Sequence, residues 1–513
     1  MPSLSKKILK PKQGGITMDY SKTHSSYAHW ASENEIKSSL YKITFDNTQP
    51  VCGGIPLFAD SNAVYVEHED SHSLIIGATG SKKTRLIGMP ALKMYTMAGE
   101  SFIATDPKAE LYHRTYQMLK ENGYRIFVLN LRDPLRSNAW NPLKIPYEFY
   151  RSGQIDKAIE MIVDMASCIT KDGNTRDPYW ENSASDLLAG LILTLYKCAK
   201  EHEIHFKSLR ALRAEAFKSV GKNIIYIQQN FLRYLDKSSF LYSLLAGTAE
   251  VTDDTRSCIV SVFDQAVRPF FCQENLIDML SGNELDIGEM GRTKTAVFLI
   301  IPDENTLYNT LISVFVKQCY AELLREAEKH SHNRLPQRVN FLLDEFSSLP
   351  TISDFPAMIT ASRSRNIRFN LIIQSLNQLI QRYGYHAETI KGNCDNLVFL
   401  HSREFALLND IVNLSGMRYY DSPLVSVSML QTLDKNKGEA FILHKRFHPY
   451  IAQLWDIDQY PYSVPEKNTI QYPINTYKAH SIFNFERFCI NMNPDINADP
   501  VFTSIYVEDD ADN

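Results

Sequence analysis

The chain alternates short, unbroken apolar runs with longer segments in which apolar residues recur every three or four positions. The unbroken runs fall at 73–76, 102–105, 126–130, 296–301, 339–343, 369–373, 397–400 and 440–443. A strand with one wet face alternates apolar and polar residues, so a continuous apolar run predicts a strand buried on both faces. Such strands, separated by helical patterns, predict an α/β fold: a mostly parallel sheet with helices on both sides.

Between 156 and 281 the pattern changes. Strand-like runs thin out and helical periodicity takes over at 155–169, 186–199 and 259–267, which predicts an all-helical insertion in the α/β domain. The expected division is an N-terminal segment 1–45, a first part of the α/β domain 46–155, the insertion 156–281, a second part 282–460 and a C-terminal segment 461–513. A chain of 513 residues has room for about three domains, each able to bury a core without covalent staples.

Charge and cysteine usage narrow the class. With 54 Lys+Arg against 59 Asp+Glu and a formal charge of -5, the chain cannot coat nucleic acid through net charge, although a local basic surface stays open. Eight scattered cysteines without a C-x-x-C pair favour a reducing compartment and buried thiols over disulfides or a zinc site. The opening MPSLSKKILKPKQGG lacks the apolar stretch of a signal peptide and reads as a basic tail. No window approaches the roughly 18 apolar residues of a membrane span, so a cytoplasmic chain is expected. The end, 508–513, reads as a short acidic solvated terminus.

The run 73–76 is followed by Gly77-Ala78-Thr79-Gly80-Ser81-Lys82-Lys83-Thr84 and then an amphipathic segment. Phosphate-binding loops of pattern G-x-x-x-x-G-K-[ST] curl backbone N–H groups around a phosphate, with the lysine neutralising charge and the hydroxyl holding Mg²⁺. Lys83 and Thr84 fit those last two roles. Lys82 stands where the pattern asks for glycine, whose freedom from a β-carbon is worth about 1–3 kcal/mol at such a bend. Alone, the loop leaves nucleotide binding undecided.

Its partners lie downstream. The run 339–343 ends in Asp344 and Glu345, and neighbours at a strand end point to different sides. Asp344 can then hold a Mg²⁺ shell while Glu345 orients and deprotonates the attacking water. The run 369–373 ends in Gln374, an amide able to touch a γ-phosphate. Just before that run, Arg363, Arg365 and Arg368 crowd a loop of the kind that offers an arginine across a subunit boundary. Tyr234, Tyr242, Lys218, Lys222 and Lys237, in the insertion, have the chemistry for stacking and phosphate contact with DNA. The histidine pairs His68/His72 and His202/His205 lack partners in a metal-ligand pattern.

GATGSKKT, ATDPKAELY (104–112), WNPL (140–143), DPYWENSASDLL (177–188), NFLLDEFSSLP (340–350), SRSRNIRFNLIIQSLNQL (362–379) and KGNCDNLVFL (391–400) occur in that order. Together they resemble the conjugative coupling ATPases of type IV secretion, the TraG-type family, over about 28–451. The resemblance implies a RecA-like P-loop ATPase domain with an all-helical insertion, ATP and Mg²⁺ as cofactors, and a homohexamer. It also implies single-stranded DNA carried by a relaxase as cargo and secretion-channel components as partners. Residue by residue it implies 77–84 as the nucleotide loop, Thr84 and Asp344 at the metal, and Lys83, Glu345 and Gln374 in catalysis. Asp106 and Lys108 match a family motif at the rim of the sheet. Arg365 is implied as the arginine given in trans, with Arg256 in Asp254-Thr255-Arg256-Ser257 as second choice.

The chain departs from the family in two respects. Family members begin with transmembrane helices, and 24–40 here resembles the segment located after those helices; the expectation is a chain without its own span, held at the inner membrane face through a partner. Lys82 in the phosphate loop is the second departure, and it leaves open an attenuated ATPase, a retuned affinity or an extra positive charge on the phosphates. Two alternatives to an active, channel-coupled motor stay open: a degenerate, weakly hydrolysing module that binds DNA or relaxase, and a soluble DNA motor unconnected to a channel.

Overall fold

The computed structural model describes residues 27–492 except 47–48, 172–176, 303–307, 353, 419–421, 462–473 and 478–479. The basic opening stretch and the acidic end 508–513 lie outside the described residues.

The described chain starts with helix Glu33–Ser39, whose N-terminus is closed by reciprocal bonds between Ser32 and Glu35. Strands β1 (Tyr41–Ile43), β2 (Pro56–Ala59) and β3 (Val64–Val66) form a small antiparallel sheet in the order β1-β3-β2. The main sheet comprises β4 (Ser73–Gly77), β5 (Ser101–Thr105), β6 (Arg125–Asn130), β9 (Thr295–Ile300), β10 (Val339–Leu343), β11 (Ile367–Ile373), β12 (Asn396–His401), β13 (Glu439–His444) and β14 (Tyr450–Gln453). Between β6 and β9, the short strands β7 (Ser219–Gly221) and β8 (Ile224–Ile225) form a hairpin.

Spatial order in the main sheet is β14-β13-β12-β4-β11-β10-β5-β9-β6, parallel from β12 to β6 and antiparallel at the β13 and β14 edge. All eight apolar runs are strands of this sheet. Their continuity reflects the two cores they separate. Leu74, Ile76, Ile103, Phe341, Leu343, Leu371 and Ile373 face a core shared with the insertion. Ile75, Phe102, Ala104, Leu342 and Ile372 face a second core with the small sheet and helices Met89–Ala98 and Glu110–Glu121. The edge strand β14 alternates buried Tyr450 and Ala452 with exposed Ile451 and Gln453, so it lacks the pattern that marks the others.

Helices occupy most of 144–279, beginning ahead of the boundary drawn from periodicity. The insertion is not all-helical, since it contains the β7–β8 hairpin, turned at Asn223 with φ 61. Its two ends are cross-paired: Trp140 N donates to Met279 O at 3.0 Å and Glu284 N to Ala139 O at 3.0 Å. Trp140, 1% exposed, packs edge-on against Phe315 with ring centroids 5.1 Å apart. Part of the C-terminal segment also belongs to this lobe: Phe485 N donates to Glu215 Oε2 at 2.6 Å, and its ring meets Tyr226 and Phe231. The eight cysteines are free, but Cys258 and Cys272 are exposed, contrary to the expectation of buried thiols. Among the described residues no helix is long and apolar enough to cross a membrane.

Candidate nucleotide site

In a parallel sheet the strand carboxyl ends share one edge, so adjacent strands deliver their following residues to one crevice. Strands β4, β11 and β10 are neighbours, which brings Gly77–Thr84, Gln374 and Asp344–Glu345 together.

The loop geometry explains its composition. A β-carbon on Gly77 would lie 2.4 Å from Ser81 Oγ and 3.0 Å from Lys83 Cγ. Gly80 has φ 78, and Lys82 takes φ 64 in the left-handed region. Ala78 N donates to His401 O at 2.8 Å, and Ser81 N to Ala78 O at 3.1 Å. The ammonium of Lys83 donates to Gly77 O at 2.5 Å and Ala78 O at 3.2 Å. Thr84 opens a π-type turn, Thr84–Gly88, that runs into helix Met89–Ala98, so backbone N–H groups at the start of a helix face the loop. Lys82 leaves this cradle: its Nζ lies 3.3 Å from Asp456 Oδ2.

Asp344 is anchored by Thr105 Oγ1, which donates to Asp344 O at 2.8 Å, and Asp344 Oδ1 accepts from Glu345 N at 2.9 Å. Burial pushes the Asp344 carboxyl up to about 6, Lys83 opposes this and Glu345 reinforces it. Burial lowers the Lys83 ammonium, with Asp344 and Glu345 pulling the other way. Glu345 adopts φ 54, an uncommon conformation for a residue with a side chain, of a kind that clusters at functional sites. Gln374 Nε2 donates to Glu345 Oε1 at 3.0 Å, and Gln374 Oε1 accepts from Thr79 Oγ1 at 3.1 Å. A continuous polar chain therefore links the loop to Glu345.

Asp106, expected at the rim, is 2% exposed and accepts from Tyr112 N at 2.8 Å at the start of helix Glu110–Glu121. Burial, helped by Asp344, pushes it up to about 7 against its backbone donors. Lys108 is exposed and acts electrostatically on both Lys83 and Asp344. Sequence reading missed Glu404, which accepts from Ser375 Oγ at 3.0 Å, Leu376 N at 3.1 Å and Asn377 N at 3.0 Å. It thereby fixes the start of helix Leu376–Tyr383 immediately after Gln374. No local motif marks a carboxylate that acts on a segment 28 residues away.

The donor set fits a magnesium nucleotide. Ser81 Oγ is buried without a hydrogen-bond partner, and Asp344 is a desolvated carboxylate beside Thr84's loop. Protonated Asp344 cannot hold a cation, so Mg²⁺-nucleotide affinity is expected to fall as pH drops through about 6. The folded-state value is raised, so this group's contribution to stability is full below its unfolded value and is lost as pH rises through about 6. Titration calorimetry and thermal melts between pH 3.5 and pH 7.5 (roughly the window set by these values) check both trends, and Asp344→Asn should flatten them.

The arginines separate by burial. Arg365 precedes the amino end of β11, on the sheet edge opposite the site, and its Nη1 donates to Asn333 O at 3.0 Å. The structure does not bring it to the loop of its own chain. Arg363 pairs with Asp395 at 2.8 Å, and Arg368 is only 2% exposed. Arg256, the second choice, is engaged within its own chain. It is 7% exposed, and its guanidinium donates to Ala249 O at 3.1 Å, Val251 O at 2.8 Å and Asp253 Oδ1 at 2.5 Å. There it closes the end of helix Phe240–Ala249 within its own chain.

Among the DNA-contact candidates, Lys218 pairs with Glu486 at 3.0 Å and Tyr242 Oη donates to Glu250 at 2.6 Å. Tyr234, Lys222 and Lys237 are exposed, with the Arg233 guanidinium 4.6 Å from the Tyr234 ring centroid. His72 is buried, accepting from Phe369 N at 3.0 Å, and His205 caps Ser208 N at 3.2 Å. Among the described residues no cluster of potential metal ligands occurs.

A glycine-rich strand–loop–helix, two carboxylates ending a strand two places away, and a glutamine on the strand between them define a P-loop nucleotide-binding fold of the RecA-like class. Residues 22–416 match the family model described as type IV secretory system conjugative DNA transfer, and the chain belongs to that family. Conjugal transfer protein TraG of Escherichia coli is 24% identical over 399 residues, covering 72% of this chain and 60% of that protein. Protein VirD4 of Rhizobium rhizogenes is 24% identical over 421 residues, covering 80% of this chain and 59% of that protein. The chain thus spans about three fifths of the length of these curated relatives. In structure it resembles the plasmid coupling protein TrwB in complex with the ATP analogue ADPNP, with TM-score 0.60, 16% identity, and coverage of 85% of this chain and 95% of that one. TrwB in complex with ADP and Mg²⁺ aligns with TM-score 0.58 and 16% identity over 84% of this chain and 93% of that one.

Proposed function

We propose that this chain is an ATPase motor that drives single-stranded DNA, or a relaxase–DNA complex, toward a type IV secretion channel. The observation that carries this reading is the polar chain Thr79–Gln374–Glu345 beside Asp344, because it connects a phosphate loop to a general base through a group that can sense the γ-phosphate. Lys83 and the loop N–H groups bind the phosphates, and Thr84 and Asp344 would hold Mg²⁺, which would neutralise developing phosphoryl charge. Glu345 orients the attacking water and takes its proton. Family membership supports the DNA cargo and the channel as partner. Assembly is proposed as a homohexamer at the inner membrane face through a partner, with Arg365 as the arginine offered across the subunit boundary.

Lys82 at φ 64 favours a second reading, a weakly hydrolysing module that binds DNA or relaxase. ATP hydrolysis with and without single-stranded DNA, in this chain and in Lys82→Gly and Glu345→Gln, separates the two. DNA-stimulated turnover in the unmodified chain, at a rate close to that of Lys82→Gly, is expected. Turnover no higher than Glu345→Gln, restored by Lys82→Gly, would leave the weak module as the correct reading.

A further inference from the structure

Lys82 is the one departure of the loop from its pattern, and its ammonium has a built partner. Asp456 Oδ2 lies 3.3 Å from Lys82 Nζ and accepts from Arg85 Nε at 3.1 Å, while Arg85 Nη2 reaches both Asp456 Oδ1 and Asp458 Oδ2. Arg85 sits on the π-type turn that carries the loop into its helix. Two cations of the loop–helix junction are thus matched by two carboxylates from a turn that lies after β14.

That turn is rigid. Asp456 N donates to Gln459 Oε1 at 2.7 Å, closing reciprocal bonds around Ile457–Gln459. Leu454, Ile457 and Tyr460 are buried on its two sides, and Trp455 stacks on Phe45 with centroids 5.9 Å apart. The carboxylate is therefore presented from a packed element rather than from a loose surface loop. Burial alone would raise Asp456, and the Arg85 and Lys82 contacts outweigh it and hold it below the ordinary value, in keeping with a carboxylate that stays charged.

We infer that Asp456 is a positioning residue for the phosphate loop, holding Lys82 out of the phosphate cradle in its left-handed conformation. A side chain in that conformation is disfavoured unless its surroundings over-determine it, and the ion pair supplies the restraint that glycine's freedom would otherwise replace. Lys82 then acts as an anchor between the loop and the C-terminal edge of the sheet, and Lys83 alone of the two lysines addresses the phosphates. This inference rests on the nucleotide-site reading above.

The test is a double-mutant cycle of Asp456→Ala and Lys82→Gly in the full chain, read as Mg²⁺-ATP binding and as hydrogen exchange of loop amides without nucleotide. In the Lys82 background, Asp456→Ala should weaken binding about tenfold and speed exchange across 78–84 about tenfold, as loss of a charge-assisted anchor would. In the Lys82→Gly background both effects should shrink severalfold, the remainder coming from the lost Arg85 contacts. Asp456→Asn, which keeps shape without charge, should follow Asp456→Ala. Equal effects in both backgrounds, or tighter binding on removing Asp456, would overturn the inference, the latter by making Lys82 a restrained phosphate ligand. If the folded chain binds no nucleotide, the nucleotide-site reading fails, and the exchange cycle still decides whether Asp456 anchors the loop through Lys82.

Discussion

Glu345→Gln is expected to slow ATP hydrolysis by about 10²–10⁴-fold, the range for loss of a positioned general base, while Mg²⁺-ATP still binds. The amide is isosteric, so the Gln374 contact at 3.0 Å and the backbone at φ 54 have a near-equivalent side chain to work with. What disappears is the proton acceptor. Single-turnover hydrolysis alongside equilibrium binding measures this, because a lost base lowers kcat without a matching rise in the dissociation constant. Thr79→Ala should fall short of that loss, since it leaves Glu345 in place and removes only the outer bond of Gln374, 3.1 Å long. A reduction below about tenfold in Glu345→Gln would assign the base elsewhere.

The second large effect is on stability. Arg368, 2% exposed, donates to Glu67 O at 2.9 Å and Gly53 O at 2.8 Å, and pairs with Glu100 at 3.0 Å where the small sheet covers the main one. Asn340 Nδ2 also binds Glu100 Oε2, at 2.8 Å. Arg368→Ala would leave a buried carboxylate and two buried carbonyls short of a donor, and removing one partner of a buried pair costs about 3–5 kcal/mol. Arg338, 3.5 Å from Glu100, places the expected loss near the lower end. Arg365→Ala, three residues earlier in the same basic stretch, should stay within about 0.5 kcal/mol because its contact is a single exposed one. Denaturant midpoints of the two variants check this, and similar shifts would contradict the burial difference that separates them.

These arginines show where local sequence stops being informative. Arg363, Arg365 and Arg368 look alike in a basic stretch, yet one bonds an exposed carbonyl, one pairs with a surface carboxylate and one is buried between two sheets. Arg256, the second choice by sequence, bonds three oxygens of its own chain, a set of partners its sequence neighbours do not announce. Asp106 likewise has the same neighbours in sequence whether it lines a rim or caps a helix from a buried position.

The sequence by itself determined what local chemistry and periodicity control. Eight continuous apolar runs specified strands buried on both faces, and the spacing of Gly77, Gly80, Lys83 and Thr84 raised a phosphate loop as a candidate that Lys82 left undecided, because each depends on residues close together in the chain. Tertiary structure decided what depends on strand order and burial. It placed β11 between the loop strand and the acidic strand, so that Gln374 joins Thr79 to Glu345. It desolvated Asp344, and it brought Asp456 to Lys82 across 374 positions of sequence. No local pattern encodes such contacts, since they arise only when the sheet closes and distant segments share one edge.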